Sequence, residues 1–87
     1  MGGIGIKVKF IDKENPVFYP VDTILMVEEN ERKLKYAQTN MFLMELDERT
    51  VAINLNRVEY IDFIYQYEKE ENNESKRIDN KNRTVGD

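Results

Sequence analysis

Cysteine and histidine are both missing from this 87-residue chain. Without cysteine there is no disulfide, no thiolate nucleophile and no zinc-thiolate site, and a small fold lacking such staples fits a reducing compartment. Without histidine there is no imidazole metal site, no Ser-His or Cys-His pair, and no general base that titrates by itself near neutral pH. These absences predict a protein that is not an enzyme and holds no cofactor or metal. Long apolar runs are missing too: the longest, Ile24 to Val27 and Met41 to Met44, span four residues each. A membrane helix needs about 20. The first residues lack the basic-then-apolar order of a secretion signal, and Ile6 stands where a myristoylation signal after Gly2 wants Ser or Thr. The expectation is an intracellular, cytoplasmic protein.

What is present is a modest apolar complement, unevenly spread. Forty per cent of the residues are hydrophobic, enough for one core, and a chain this short buries only about 60% of its extended surface. Nearly all large apolar side chains lie between Ile4 and Tyr67. Beyond Tyr67 only Ile78 and Val85 could contribute, among six acids, five bases and several asparagines. Two such residues do not offset the ordering entropy of the stretch. The sequence therefore predicts a small β domain over 1–67 and a polar, disordered tail over 68–87. Asn73-Glu74-Ser75 and Asn82-Arg83-Thr84 match the glycosylation pattern, read here as chance in an asparagine-rich tail.

Taken in order, Ile4, Ile6, Val8 and Phe10 alternate with Gly5, Lys7 and Lys9, the period of a strand over about 3–11. A polar turn closed by Pro16 follows. Pro20 cannot donate a ladder hydrogen bond, so it marks either a sheet edge or a break. The better second strand is Thr23 to Glu28, whose apolar run suits burial on both faces. Glu29 to Arg32 reads as a turn, with Asn30 suited to a left-handed position. Lys33 to Gln38 alternates again and predicts a third strand. Met41 to Leu46 is ambiguous between strand and helix, and its six residues between turn signals favour strand. Asp47 to Thr50 is a turn, Val51 to Leu55 a strand, and Asn56-Arg57 a corner. Val58 to Tyr65 favours strand by propensity, with a helix as the alternative. The fold class expected is mainly β: a small antiparallel β-meander of four to six strands, with room for one short helix, and a flexible charged C-terminal tail.

Several groupings could carry function. Lys7, Lys9, Lys33 and Lys35 fall on the outward faces of the first and third predicted strands, where together they could hold phosphates. An ordinary solvated face, in which lysine deters edge pairing, explains them as well. Glu28, Glu29 and Glu31 form one acidic cluster; Glu45, Asp47 and Glu48 form another, beside Arg49. Neither has the spacing of a calcium loop, and both read as solvated turns or as an acidic surface for a basic partner. Tyr60, Phe63, Tyr65 and Tyr67 could pack the core, stack on bases or anchor an interface. If Ile61, Phe63, Tyr65 and Tyr67 share a strand face, that face must cover the core or a second chain, which makes a homo-oligomer one expectation.

Glu48 to Ile61 reads E-R-T-V-A-I-N-L-N-R-V-E-Y-I. With Val21 to Glu28 and Lys33 to Tyr36 upstream, it resembles part of the LytTR-type DNA-binding domain of bacterial response regulators, over about 40 residues. The resemblance implies a strand at Val21 to Glu28, another at Lys33 to Tyr36, and a corner at Arg49-Thr50 that approaches DNA. Glu48 stands where the family carries histidine, the family's intervening helix has no space before Arg49, and the charged tail replaces its last hairpin.

Seventeen acidic against thirteen basic residues give a net charge of −4, which argues against general nucleic-acid binding. The leading expectation is a non-catalytic regulatory or binding protein, of the size and composition of a phage or mobile-element accessory factor. It would dock on another protein, with Glu45, Asp47, Glu48 and Arg49 as the candidate surface. One alternative is a DNA-binding module using Lys7, Lys9, Lys33, Lys35 and Arg49. The other is an acidic nucleic-acid mimic that occupies a basic site on a DNA-handling enzyme. No membrane partner is expected.

Overall fold

The alternation that opens the chain becomes β1 (Gly5–Phe10) in a computed structural model that describes residues 3–65 and 75–79. The chain continues through β2 (Val17–Pro20), α1 (Ile24–Lys35), β3 (Met41–Glu45) and β4 (Thr50–Asn54). A 3-10 turn (Leu55–Arg57) then leads into β5 (Val58–Ile64), and β6 is Ser75–Asp79. The described residues are mainly strand, in two antiparallel sheets with one helix. A four-stranded sheet has the order β2-β1-β5-β6, and β3 pairs with β4 alone. β1 pairs with β2, β3 with β4 and β5 with β6, while β1 and β5 meet across the length of the chain, with Ile6 opposite Phe63 and Val8 opposite Ile61.

The apolar side of that alternation is the core. Ile4, Ile6 and Val8 are buried with Ile61 and Phe63 of β5, beneath Val27 and Leu34 of α1 and Phe42, Met44 and Ile53 of the β3–β4 hairpin. Helix and hairpin thus cover one face of the four-stranded sheet. The other face carries Lys7, Tyr60, Asp62 and Arg77. There the Phe18 ring lies over Gly5, where a Cβ would come within 2.4 Å of the Tyr19 carbonyl oxygen and 2.9 Å of the ring. Only glycine fits at that crossing.

One helix replaces two expected strands. Thr23 to Glu28, read as a strand from its apolar run, falls almost wholly in α1, the first half of Lys33 to Gln38, read as a strand from its alternation, forms the last turn, and the expected turn between them is its middle. The Thr23 backbone is extended, and its Oγ1 accepts the Met26 N–H at 3.2 Å, which closes the N-terminal end. Arg32, Lys33 and Lys35 occupy the last turn, where cations favour the carbonyl end of the helix. Val27, Asn30 and Leu34 form the buried stripe, while Ile24 and Leu25 are exposed. The apolar run is therefore not covered on both faces. The strand preceding it is β2, an outer strand in which Pro20 lacks only an N–H that no neighbour needs.

Later elements lie close to their expected places. Met41–Glu45 is a strand, one residue shorter than expected, as is Val58–Ile64, and Asn56-Arg57 belongs to the 3-10 turn, where Asn54 Oδ1 accepts the Asn56 N–H at 3.0 Å. The expected face of Ile61, Phe63, Tyr65 and Tyr67 covers the core: Ile61 and Phe63 are buried and Tyr65 is half-buried, while Tyr67 lies outside the described residues. Ser75–Asp79, inside the stretch expected to be a polar tail, pairs with β5, with Ile78 opposite Ile61 and packed against the core. The sheet therefore extends past residue 67. The rest of that stretch, 68–74 and 80–87 with both glycosylation-type asparagines, lies outside the described residues.

Candidate functional site

Alternation in β3 sends Phe42 and Met44 inward and leaves Met41, Leu43 and Glu45 facing out. In β4, Ile53 is buried and Val51 half-buried, while Thr50, Ala52 and Asn54 face out. Leu43 stands opposite Ala52, and Glu45 opposite Thr50. Met41 and Leu43 are 49% and 52% exposed. An open groove of about 240 Å³ runs from them to Lys33, Ala37 and Thr39. Met41, Leu43 and Ala52 thus form a short apolar strip on the hairpin's outer face, between polar Glu45 and Thr50 at one end and Asn54 at the other.

The strip ends in acid. Leu46 N–H donates to the Arg49 carbonyl at 2.8 Å, closing the turn through Asp47 and Glu48. Glu45, Asp47, Glu48 and Arg49 are all exposed and all gathered at this tip. Asp47 Oδ1 accepts the Asp22 N–H at 3.3 Å, which ties the tip to the approach of α1. Lys33 Nζ stands 4.0 Å from Glu45 Oε1, a loose surface pair worth little.

Asn30 holds the hairpin against the helix. It is fully buried, and its Nδ2 donates to the Met26 carbonyl at 2.9 Å and the Glu45 carbonyl at 2.8 Å. Its Oδ1 accepts the Glu45 N–H at 2.8 Å. The carboxamide therefore meets the edge of β3 as another strand would, through one donor and one acceptor. At the opposite end of that edge Thr39 Oγ1 accepts the Met41 N–H and donates to the Met41 carbonyl. The sequence reading placed Asn30 in a turn. Its spacing from Val27 and Leu34 was the available signal, hidden because the buried position is polar.

The basic residues do not come together. Lys7 and Lys9 lie on the open face of the four-stranded sheet, whereas Lys33 and Lys35 are on α1 and Arg49 is at the hairpin tip. The expected alignment of Lys33 and Lys35 on a strand beside Lys7 and Lys9 is corrected by the helix. Charges on the open sheet face also pair internally. Lys9 Nζ meets Glu59 at 3.2 Å. Arg77 grips Asp62 through Nε at 2.7 Å and Nη2 at 3.1 Å, and its guanidinium lies 3.7 Å from the centre of the Tyr60 ring. Asp62, only 8% exposed, pushes the Arg77 guanidinium pKa above its ordinary value. Arg57 binds Asp12 at 2.7 Å and holds that carboxyl below the usual range.

The first acidic cluster is split around the helix, with Glu28 and Glu31 one turn apart on one face and Glu29 beside Arg32. Glu29 pairs with Arg32 at 3.3 Å, and Glu31 accepts the Tyr65 hydroxyl. Burial first, and the Glu31 bond second, push the Tyr65 pKa well above its ordinary value. Among the described residues no group of three or more acidic side chains is placed to hold a metal ion, and no helix is long and apolar enough to cross a membrane.

No protein-family model, curated protein or solved structure matches the chain.

Proposed function

We propose that the chain is a non-catalytic binding protein that docks on another protein through the outer face and acidic tip of the β3–β4 hairpin. The observation that carries this reading is the pairing of half-exposed Met41 and Leu43 with Glu45, Asp47 and Glu48 on one hairpin. Single exposed apolar residues are ordinary on protein surfaces, but adjacent ones beside a charged rim have the make-up of an interface. Methionine adapts its shape to a partner, and the carboxylates would steer a surface bearing lysine or arginine. The internally paired charges of the open sheet face make that face the weaker candidate.

The test is capture from a lysate of the source organism on immobilised full-length protein. Met41→Glu with Leu43→Glu should abolish retention of a specific partner. Asp47→Lys with Glu48→Lys should weaken it about tenfold, with reduced sensitivity to salt. Circular dichroism should show both variants folded. Retention of the same proteins by all three forms would refute the reading.

A further inference from the structure

We infer that β4 pairs antiparallel with β4 of a second copy of this chain, joining the two hairpins into one continuous sheet. Leu46 N–H donates to the Arg49 carbonyl and Leu55 N–H to the Asn40 carbonyl. These bonds fix Met44 with Val51 and Phe42 with Ile53 as the bonded pairs of the ladder. The N–H and C=O of Thr50 and Ala52, and the N–H of Asn54, therefore point away from β3. Among the described residues they meet no partner, and all three side chains are exposed.

Proteins blunt the strand edges they need to keep free, and this one does so elsewhere. The outer edge of β2 is four residues long and ends in Pro20. The outer edge of β3 is occupied by Asn30 at Glu45 and by Thr39 at Met41. The five residues of β6 include Lys76, Arg77 and Asp79. By contrast Thr50-Val51-Ala52-Ile53-Asn54 has no charge, no proline and no glycine. It is the edge left fit for pairing.

A second copy suits it because the strand is self-complementary about Ala52. With Ala52 opposite the partner's Ala52, the two alanines exchange both of their hydrogen bonds, and Asn54 N–H reaches the partner's Thr50 carbonyl at each end. Val51, half-buried in one chain, gains the partner's Ile53 as a neighbour on the inner face. No like charges oppose each other along the strand. At either end the acidic tip of one chain, Asp47 and Glu48, comes alongside the 3-10 turn that carries the partner's Arg57, whose side chain is 60% exposed. Such a pairing is isologous and closes on itself.

Sedimentation velocity of the full chain from about 1 to about 200 μM should show a concentration-dependent dimer. Ala52→Lys sets two ammonium groups opposite each other, and should raise the dissociation constant by at least about tenfold while the thermal midpoint of the dilute protein is unchanged. Glu48→Arg and Arg57→Glu should each weaken the dimer, and the double variant should restore it. A monomer throughout that range, or a dimer indifferent to Ala52→Lys, overturns the inference. Partner capture by Met41 and Leu43 is read separately, so either proposal can fail alone.

Discussion

The carboxamide of Asn30 offers Glu45 the donor and acceptor that a neighbouring strand would offer, and it does so from inside the core, where neither partner can turn to water. Asn30→Leu keeps the volume but strands the N–H and C=O of Glu45, at about 1–3 kcal/mol for each buried group left unsatisfied. Asn30→Asp should be worse at neutral pH. A carboxylate still accepts the Glu45 N–H, but it faces the carbonyls of Met26 and Glu45 with no proton to donate. The aspartate pKa should therefore be raised in the folded state. By linkage the variant gains stability as pH falls through that raised value. Denaturant titrations of Asn30→Asp at pH 7 and pH 5 should show the pH 5 sample more stable. The opposite order would mean that the amide hydrogens matter little. The spacing of Asn30 from Val27 and Leu34 was only a faint mark of this task, because asparagine is read locally as a turn former while its partner lies 15 residues away.

At the level of elements, strands whose two faces differ were legible and the helix was not. The alternation around Ile6 and Ile53 placed two strands to within a residue or two, since each has one wet face and one buried face, and the shortness of the Phe42 segment between turn signals placed a third. Ile24 to Val27 misled because an apolar run was taken as doubly buried, when Ile24 and Leu25 in fact face solvent. The helical evidence, a Thr23 cap and a basic last turn, was local and outweighed by hydrophobicity. The acidic tip was legible because a single tight turn gathers Glu45, Asp47, Glu48 and Arg49. Its apolar neighbours and the open edge of β4 depend on what packs beside them. The last strand was missed for a related reason: one apolar residue, Ile78, looked too little to order a polar segment. Arg77 supplies the rest by neutralising Asp62 and stacking on Tyr60. Truncation before Ser75 should uncover the edge of β5, leave the largely buried Asp62 carboxylate without its guanidinium, and lower the thermal midpoint by on the order of 10 °C. An unchanged midpoint would show that β6 contributes no stability.

For the molecule as a whole, the contact between Tyr65 and Glu31 joins α1 to the segment after β5 and gives the fold an alkaline weakness. The Tyr65 pKa is raised above 10.0. The folded state therefore keeps a proton that the unfolded chain gives up as pH rises past that value. The sign follows: this contribution is fully present below about pH 10 and is lost as pH climbs towards the folded value. Thermal midpoints measured from pH 8 to pH 11 should fall more steeply for the wild type than for Tyr65→Phe. Parallel curves would show that the hydroxyl carries no such linkage. The order of strands has a different consequence, for synthesis. A nascent chain makes β1 and β2 early, yet their buried face is completed by β5, whose residues are joined some 50 positions later. A lone hairpin is marginal in water, so Ile4, Ile6 and Val8 must wait uncovered while the ribosome adds the helix and the second hairpin. During that interval the growing chain depends on chaperones or on speed, and a pause in translation before Val58 would be the moment at which it is most exposed to aggregation.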